Sequence, residues 1–159
     1  LSGNSVVKVA EKSMTFWEKR MTTIFGYFMP LLEKLHRNSV EIIVISGSPT
    51  ESLLPMVNKL GIKQYYCTEI GVENGKYLSY VEKNTADHDG KMKTVKEIFK
   101  TILPECETYG FGDSVADLAF LELVDNPFVI GNHDNDLAEV AKREGWRVIL
   151  DPNNERIEL

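Results

Sequence analysis

The segment from Tyr109 to Phe120 constrains the fold of this chain more than any other. It predicts a short strand over Glu107 to Phe111, a turn at Gly112 and a helix over Val115 to Val124 that is buried almost all round. A strand that runs directly into a helix is the unit from which parallel α/β sheets are built. In open α/β sheets, ligands bind in the crevice at the carboxyl ends of the strands. Asp113 is therefore predicted to lie at the mouth of such a sheet.

Asp117 follows Asp113 by one helical turn, so both carboxylates can face one site. Carboxylate oxygens at that spacing suit a hard cation such as Mg²⁺, which makes Asp113 and Asp117 candidate metal ligands. A structural alternative is open at this point. Ser114 and Asp117 also form a capping box, which alone would explain both residues.

A second strand end carries a candidate anion site. Val40 to Ile45 is a run of mostly β-branched residues, typical of a strand buried in a parallel sheet. Ser48 and Glu51 form a predicted capping box for the next helix, so Ser48 already has a structural role. Ser46 has none, and with Gly47 it stands beside a helix N-terminus, where a hydroxyl and backbone N–H groups favour an anion. The alternative is a serine that only bonds its own turn.

Lys91 is the third candidate, and the helical wheel distinguishes it from its neighbours. On a helix starting near residue 90, Lys91 falls on the apolar stripe, whereas Lys93, Lys96 and Lys100 share the opposite face. Lys91 also lies in the first turn, where the helix dipole disfavours a cation. A charge at this position needs an anionic partner, for which phosphate and the two aspartates are candidates. A lysine that reaches solvent past the helix end is the alternative.

Ser46, Lys91 and the Asp113/Asp117 pair occur in this order, each at the end of a predicted βα unit. They resemble motifs two, three and four of the haloacid dehalogenase superfamily, with the strongest likeness to its phosphoserine-phosphatase-like branch. The text that carries the resemblance is residues 45–49, 89–91, 112–117, 127–132 and 145–149. It covers most of residues 26 to 150, and the combination is more specific than any one motif.

The resemblance implies a Mg²⁺-dependent phosphatase that acts on small phosphorylated metabolites through an aspartyl-phosphate. In that case Ser46 and Gly47 would bind the phosphoryl oxygens. Lys91 would be catalytic, since it would neutralise charge on the phosphate and the nucleophile. Asp113 and Asp117 would hold Mg²⁺.

The first motif of that superfamily, an apolar strand ending in Asp-x-Asp, has no match before Ser46. Asp87-His88-Asp89 has the spacing, but the polar residues 82–86 before it do not predict a buried strand. The resemblance implies that the missing strand is the central one of the sheet. We therefore expect these residues to be the carboxy-terminal part of a longer protein whose other segment holds the nucleophile. The alternatives are strand exchange with another chain and a true pseudoenzyme.

The remaining elements alternate as in a Rossmann-like parallel sheet with flanking helices. Residues 1–25 are predicted as the remnant of a small helical cap and residues 26–159 as the α/β core, incomplete at its N-terminal side. Asn74-Gly75 between two apolar runs predicts a β-hairpin, interpreted as a flap beside the site.

Composition limits the partners and the compartment. The net charge of −6 argues against nucleic acid, and no apolar run reaches membrane-spanning length. Cys67 and Cys106 have no metal-binding spacing and are expected to be reduced, as in the cytoplasm.

Two hypotheses of different classes follow. One is the Mg²⁺-dependent phosphatase, with this chain alone expected to be inactive. The other is a catalytically inactive phosphate-binding or scaffolding pseudophosphatase. A nucleotide-binding domain of unrelated type is a third, weaker interpretation, because the chain has neither a Gly-x-Gly-x-x-Gly nor a Gly-x-x-x-x-Gly-Lys-Ser/Thr motif.

Overall fold

The structure is a computed structural model that describes residues 1–24, 26–102, 105–131, 135–157 and 159. Asn132, the last residue of the 127–132 motif, lies outside the described residues. No helix in the described ranges is long and apolar enough to cross a membrane.

Helices and strands alternate along much of the chain, so the α/β class predicted from the sequence is confirmed. The helices are α1 (Val6–Arg20), α2 (Phe28–Arg37), α3 (Thr50–Lys59), α4 (His88–Phe99), α5 (Leu118–Leu121) and α6 (Asn135–Glu144). The strands are β1 (Ile43–Pro49), β2 (Gln64–Glu73), β3 (Lys76–Lys83), β4 (Tyr109–Gly112), β5 (Asn126–Ile130) and β6 (Arg147–Ile149).

The chain forms two compact units and passes between them three times, once within α2. The first unit contains Leu1–Ile24 and Glu33–Asp87, and the second contains Phe25–Leu32 and His88–Leu159. The first unit therefore contains α1 together with β1, α3, β2 and β3. Whether residues 1–25 are the remnant of a cap, with 26–159 as the core, stays a prediction.

The first unit is built on a three-stranded mixed sheet in the order β1-β2-β3. β1 and β2 are parallel, whereas β2 and β3 form an antiparallel hairpin. Asn74 and Gly75 turn this hairpin with φ angles of 51° and 73°, the left-handed conformation that an Asn-Gly turn predicts. α1 packs on α3, where the Trp17 indole N–H donates to the Ser52 carbonyl at 2.7 Å.

The second unit is built on a three-stranded parallel sheet in the order β4-β5-β6. One cluster of its core is buried between this sheet and the helices, and consists of Leu121, Val129, Leu137 and Ala141. In the described residues, β1 has one strand neighbour, β2, and β4 has one, β5. The expectation that a central strand is missing stays a prediction.

The strand predicted from Val40 begins three residues later, at Ile43. Ser39 has φ 55°, and the Val40 N–H donates to the Leu35 carbonyl, so these residues end α2 instead of starting β1. Val40 is 44% exposed. The β-branched side chain of Val40 favours a strand, but its backbone N–H closes the end of α2 instead.

The capping box predicted for Ser48 and Glu51 is wrong. The N-cap of α3 is Pro49, whose side chain has no hydrogen-bond acceptor. Glu51 instead accepts a hydrogen bond from the Tyr77 hydroxyl at 2.7 Å. The hydrogen bond from Tyr77 engages the Glu51 carboxylate, which the predicted capping box would have used.

The helix predicted over Val115 to Val124 is shorter than expected. Val115–Asp117 is a 3₁₀ turn, and only Leu118–Leu121 is α-helical. The Leu123 N–H returns to the Phe120 carbonyl at 3.0 Å, an i to i−3 bond that closes the helix. Burial is less complete than predicted, because Ala119 and Leu121 have almost no exposed surface but Leu123 is 42% exposed.

Candidate functional site

The turn after β4 is packed closely against the residues that follow it. A Cβ atom on Gly112 would stand 2.6 Å from the Cβ of Asp117, closer than two carbon atoms can approach. Glycine at this position therefore brings the Asp117 side chain back over the end of the strand.

Asp117 organises the turn between β4 and α5. Its Oδ2 accepts hydrogen bonds from the backbone N–H groups of Asp113 and Ser114, each at 3.0 Å, and from the Ser114 hydroxyl at 3.0 Å. The capping box predicted from Ser114 and Asp117 is present. Asp117 is only 5% exposed, so these bonds are made away from solvent.

Lys91 provides the charge that balances Asp117. It lies in the first turn of α4 and is 7% exposed, as its position on the apolar stripe predicts. Its Nζ contacts Oδ1 of Asp117 in a buried ion pair. Lys93, Lys96 and Lys100 are all exposed. The helical wheel therefore distinguished the buried lysine correctly.

Asp113 faces solvent beside this pair. Burial of part of its surroundings raises the pKa of the Asp113 carboxyl, and the negative charge of Asp117 raises it further, while Lys91 acts in the opposite direction. A carboxylate held beside a second carboxylate gains from a nearby cation. The electrostatics of this turn thus favour a positively charged ligand at Asp113.

The donor set fits a hard divalent cation bound through few protein ligands. Among the described residues, no three His, Cys, Asp or Glu side chains form a metal-binding group. Both oxygens of Asp117 already have partners, which leaves the Asp113 carboxylate as the accessible oxygen ligand of the pair. Mg²⁺ commonly binds in this way, with one or two carboxylates, several waters and substrate phosphate oxygens.

Ser46 and Gly47 lie in the first unit, within β1. The Ser46 hydroxyl accepts a hydrogen bond from the Ser48 N–H at 3.2 Å, so it bonds its own turn, as the structural alternative proposed. Gly47 packs against the segment that follows β3, since an added Cβ would stand 2.8 Å from the Cα of Ala86. The structure thus brings Lys91, Asp113 and Asp117 together in the second unit and places Ser46 and Gly47 in the first.

Three residues near these groups were not predicted. Tyr27 lies within electrostatic range of Asp113, and burial together with that carboxylate raises the pKa of its phenol to about 12. In the first unit, Thr68 and Thr85 are buried, and the Thr85 hydroxyl donates to the Ser46 carbonyl at 2.6 Å. All three depend on contacts distant in sequence, for which the local pattern holds no signal.

The Asp-x-Asp sequence that lies wholly within the described residues differs from a nucleophile motif at a strand end. Asp87-His88-Asp89 spans a bend and the first turn of α4, and the Asp89 side chain is fully exposed. A second Asp-x-Asp sequence, Asp134-Asn135-Asp136, was not predicted as a site. It precedes and opens α6, and Asp134 is outside the described residues.

Comparison with known proteins gives consistent relatives. A probable phosphatase from Mycobacterium tuberculosis is 31% identical over 110 residues, which are 69% of this chain and 38% of that protein. A histidinol-phosphatase from Neisseria meningitidis is 26% identical over 136 residues, 77% of this chain and 61% of the relative. The chain thus spans well under half of the mycobacterial protein.

Solved structures share the fold at low sequence identity. A protein of unknown function from Bordetella pertussis has a TM-score of 0.71 at 21% identity, with 94% of this chain and 69% of that chain covered. A substrate-bound phosphoserine phosphatase has a TM-score of 0.62 at 17% identity, with 81% and 59% covered. The sequence profile of haloacid dehalogenase-like hydrolases matches residues 8–122. The chain belongs to the haloacid dehalogenase-like hydrolase family.

Proposed function

We propose that this chain is part of a Mg²⁺-dependent phosphatase that hydrolyses small phosphorylated metabolites. The observation that carries the proposal is the buried Lys91–Asp117 pair beside the solvent-facing carboxylate of Asp113. A buried ion pair is weak support for stability, because desolvation offsets much of its attraction. Its position at a strand end of an α/β sheet supports a role in ligand binding.

Lys91 is the residue that binds and neutralises the phosphoryl group in this account. An ammonium has three N–H donors, so Lys91 can donate to a phosphoryl oxygen while it keeps its contact with Asp117. The low exposure of Lys91 strengthens the attraction between its ammonium and an anion, because little water screens the charge. Asp117 fixes the lysine in place.

Asp113 holds Mg²⁺, and Asp117 acts on the metal site indirectly. The Asp117 carboxylate accepts from the backbone N–H of Asp113 and contacts Lys91, and it is buried, whereas the Asp113 carboxylate faces solvent. When bound, the ion would supply positive charge that stabilises the reacting phosphoryl group. Asp113 is accordingly the direct ligand, and Asp117 positions both Asp113 and Lys91.

Ser46 and Gly47 are proposed to bind phosphoryl oxygens. Support comes from the position of Ser46 in β1, next to the start of α3, and from the close packing that Gly47 allows. The Ser46 oxygen accepts from the Ser48 N–H, which leaves its O–H free to donate to an anion.

The aspartate nucleophile belongs to a segment beyond residues 1–159, attached covalently or bound as a separate strand. Asp87 lies in a bend before α4 and Asp89 points to solvent, so neither stands at a strand end, where the resemblance places the nucleophile. Residues 1–159 alone therefore bind Mg²⁺ and phosphate without turning over a phosphomonoester.

The relatives support a small phosphomonoester as substrate. Those with named activities include a probable phosphatase, a histidinol-phosphatase and phosphoserine phosphatases.

Orthophosphate binding in the presence of Mg²⁺, followed by ³¹P NMR, tests the proposal. Lys91→Met should weaken binding strongly, whereas Lys93→Met, a lysine on the exposed face of the same helix, should leave it unchanged. Circular dichroism at the same temperature confirms that each variant is folded. Equal losses for both variants would indicate a diffuse basic surface and contradict the assigned site.

Hydrolysis of an aryl phosphate separates the phosphatase from a pseudophosphatase. Turnover should be absent with residues 1–159 and should appear when an apolar strand ending in Asp-x-Asp is supplied. A properly folded assembly that binds phosphate but remains inactive would favour the pseudophosphatase. Turnover by residues 1–159 that disappears in Asp89→Asn would place the nucleophile in the 87–89 sequence.

A further inference from the structure

β1 leaves its regular pairing at Ser46. Ile45 pairs with Tyr66 of β2, and the next pair is Pro49 with Thr68. Residues 46–48 are therefore accommodated opposite the single residue between Tyr66 and Thr68. The regular pairing is interrupted at residues 46–48, so contacts from other segments help to set the conformation there.

Thr85, in the segment after β3, supplies that partner. Its hydroxyl donates to the Ser46 carbonyl at 2.6 Å, and Thr85 has no exposed surface. Because a hydroxyl has one proton, the contact of 3.2 Å between the Thr68 and Thr85 hydroxyls must use the proton of Thr68. The Thr85 N–H donates in turn to the Thr68 oxygen at 3.3 Å. The two threonines thus form a closed, directed network that ends on Ser46.

The adjacent packing leaves little room for the bulge to relax. A Cβ on Gly47 would approach the Cα of Ala86, the residue after Thr85, to 2.8 Å. The Ser46 hydroxyl is already oriented by the Ser48 N–H at 3.2 Å. The carbonyl of Ser46 is therefore held by Thr85, and its side chain by its own turn.

We propose that Thr85, held by Thr68, is a positioning residue that fixes the 46–48 bulge in the conformation that binds phosphoryl oxygens. This inference rests on the phosphate-binding role proposed for Ser46. Thr85 does not contact the substrate in this account and acts only through the Ser46 carbonyl.

Thr85→Val and Thr85→Ser separate the hydroxyl from the shape of the side chain. Valine keeps the branched shape and leaves the Ser46 carbonyl without its donor, whereas serine keeps the donor. Thr94→Val is the matched control, because Thr94 is 2% exposed and donates to the Gly90 carbonyl at 3.1 Å, within α4. Both valine variants lose a hydroxyl bond to a backbone carbonyl, and Thr85→Val also loses the bond from the Thr68 hydroxyl.

Two measurements on the full chain decide the inference. Amide resonances of residues 46–48 should shift in Thr85→Val and return towards their original positions in Thr85→Ser, with no shift in Thr94→Val. Orthophosphate affinity by calorimetry should fall by about tenfold in Thr85→Val, recover in Thr85→Ser and stay unchanged in Thr94→Val. All titrations are run at a temperature where every variant is folded.

Ser46→Ala distinguishes a failure of this inference from a failure of the proposed function. If Ser46→Ala weakens phosphate binding but Thr85→Val does not, the positioning role is wrong and the phosphate site stands. If neither variant changes phosphate affinity, the phosphate role of Ser46 falls, and the positioning role for phosphate falls with it. Unshifted amides of residues 46–48 in Thr85→Val would overturn the positioning role on their own.

Discussion

The Nζ of Lys91 contacts Oδ1 of Asp117 within the second unit, and both side chains are less than one tenth exposed. The other oxygen of Asp117 binds the turn that carries Asp113. A single carboxylate therefore connects the buried cation to the proposed metal ligand.

Asp117→Asn should destabilise the fold by about 3 to 5 kcal/mol, because it leaves the Lys91 ammonium buried without its counter-charge. Urea denaturation at neutral pH measures this loss. Glu144→Gln is the control, since the Arg143–Glu144 pair is 69% and 46% exposed and should contribute less than about 1 kcal/mol. Similar losses for both substitutions would show that the Lys91–Asp117 pair is not held out of water.

Gly112→Ala should destabilise the protein by about 1 to 3 kcal/mol and weaken Mg²⁺ binding, because the new Cβ displaces Asp117. Gly75→Ala is a useful contrast. Gly75 has φ 73° and open space around it, so alanine there strains only the hairpin, by about 1 kcal/mol, and should leave Mg²⁺ affinity intact. Loss of Mg²⁺ binding in both variants would point to a general effect of destabilisation.

Asp113→Asn should stabilise the metal-free protein at neutral pH. The pKa of Asp113 is raised in the folded state by burial and by Asp117, so the ionised form is less favourable there than in the unfolded chain. Removing the charge removes that cost, which should appear as a higher urea midpoint in the presence of EDTA. A lower midpoint would mean that the carboxylate has a stabilising partner.

Asp125→Asn should lower the stability of the protein at neutral pH, whereas Asp113→Asn should raise it. The Asp125 carboxylate accepts hydrogen bonds from the Thr108 hydroxyl at 2.7 Å and the Thr108 N–H at 2.8 Å, and these bonds lower its pKa. Its stabilising effect is present above the ordinary pKa of an aspartate, about 4, and is lost as the pH falls through the lowered value. The variant should therefore be less stable than the wild type at pH 7, with the difference in urea midpoint shrinking below about pH 4. A difference that does not depend on pH would contradict a role for the charge.

The sequence predicted the parts of this structure that depend on local chemistry. Lys91 was identified because a lysine on an apolar stripe contradicts helical periodicity, and Asn74-Gly75 because few residues adopt a left-handed turn. The capping box of Ser114 and Asp117 was likewise local. In each case the residues that decide the structure are close together in the chain.

Long-range contacts explain most of what was missed. The bond from Thr85 to Ser46 joins residues 39 positions apart, and no property of either residue alone indicates it. Glu51 was predicted to be part of a local capping box, because its actual partner, Tyr77, is 26 residues away and gives no local signal.

Calorimetric titration with Mg²⁺ tests the central claim most directly. The wild-type chain should bind Mg²⁺, and Asp113→Asn should abolish the binding heat, because the accessible carboxylate of the site is lost. Asp89→Asn removes the same charge from a fully exposed side chain of the second unit and should bind as the wild type does. An isotherm for Asp113→Asn that matches the wild type would contradict the proposed metal site.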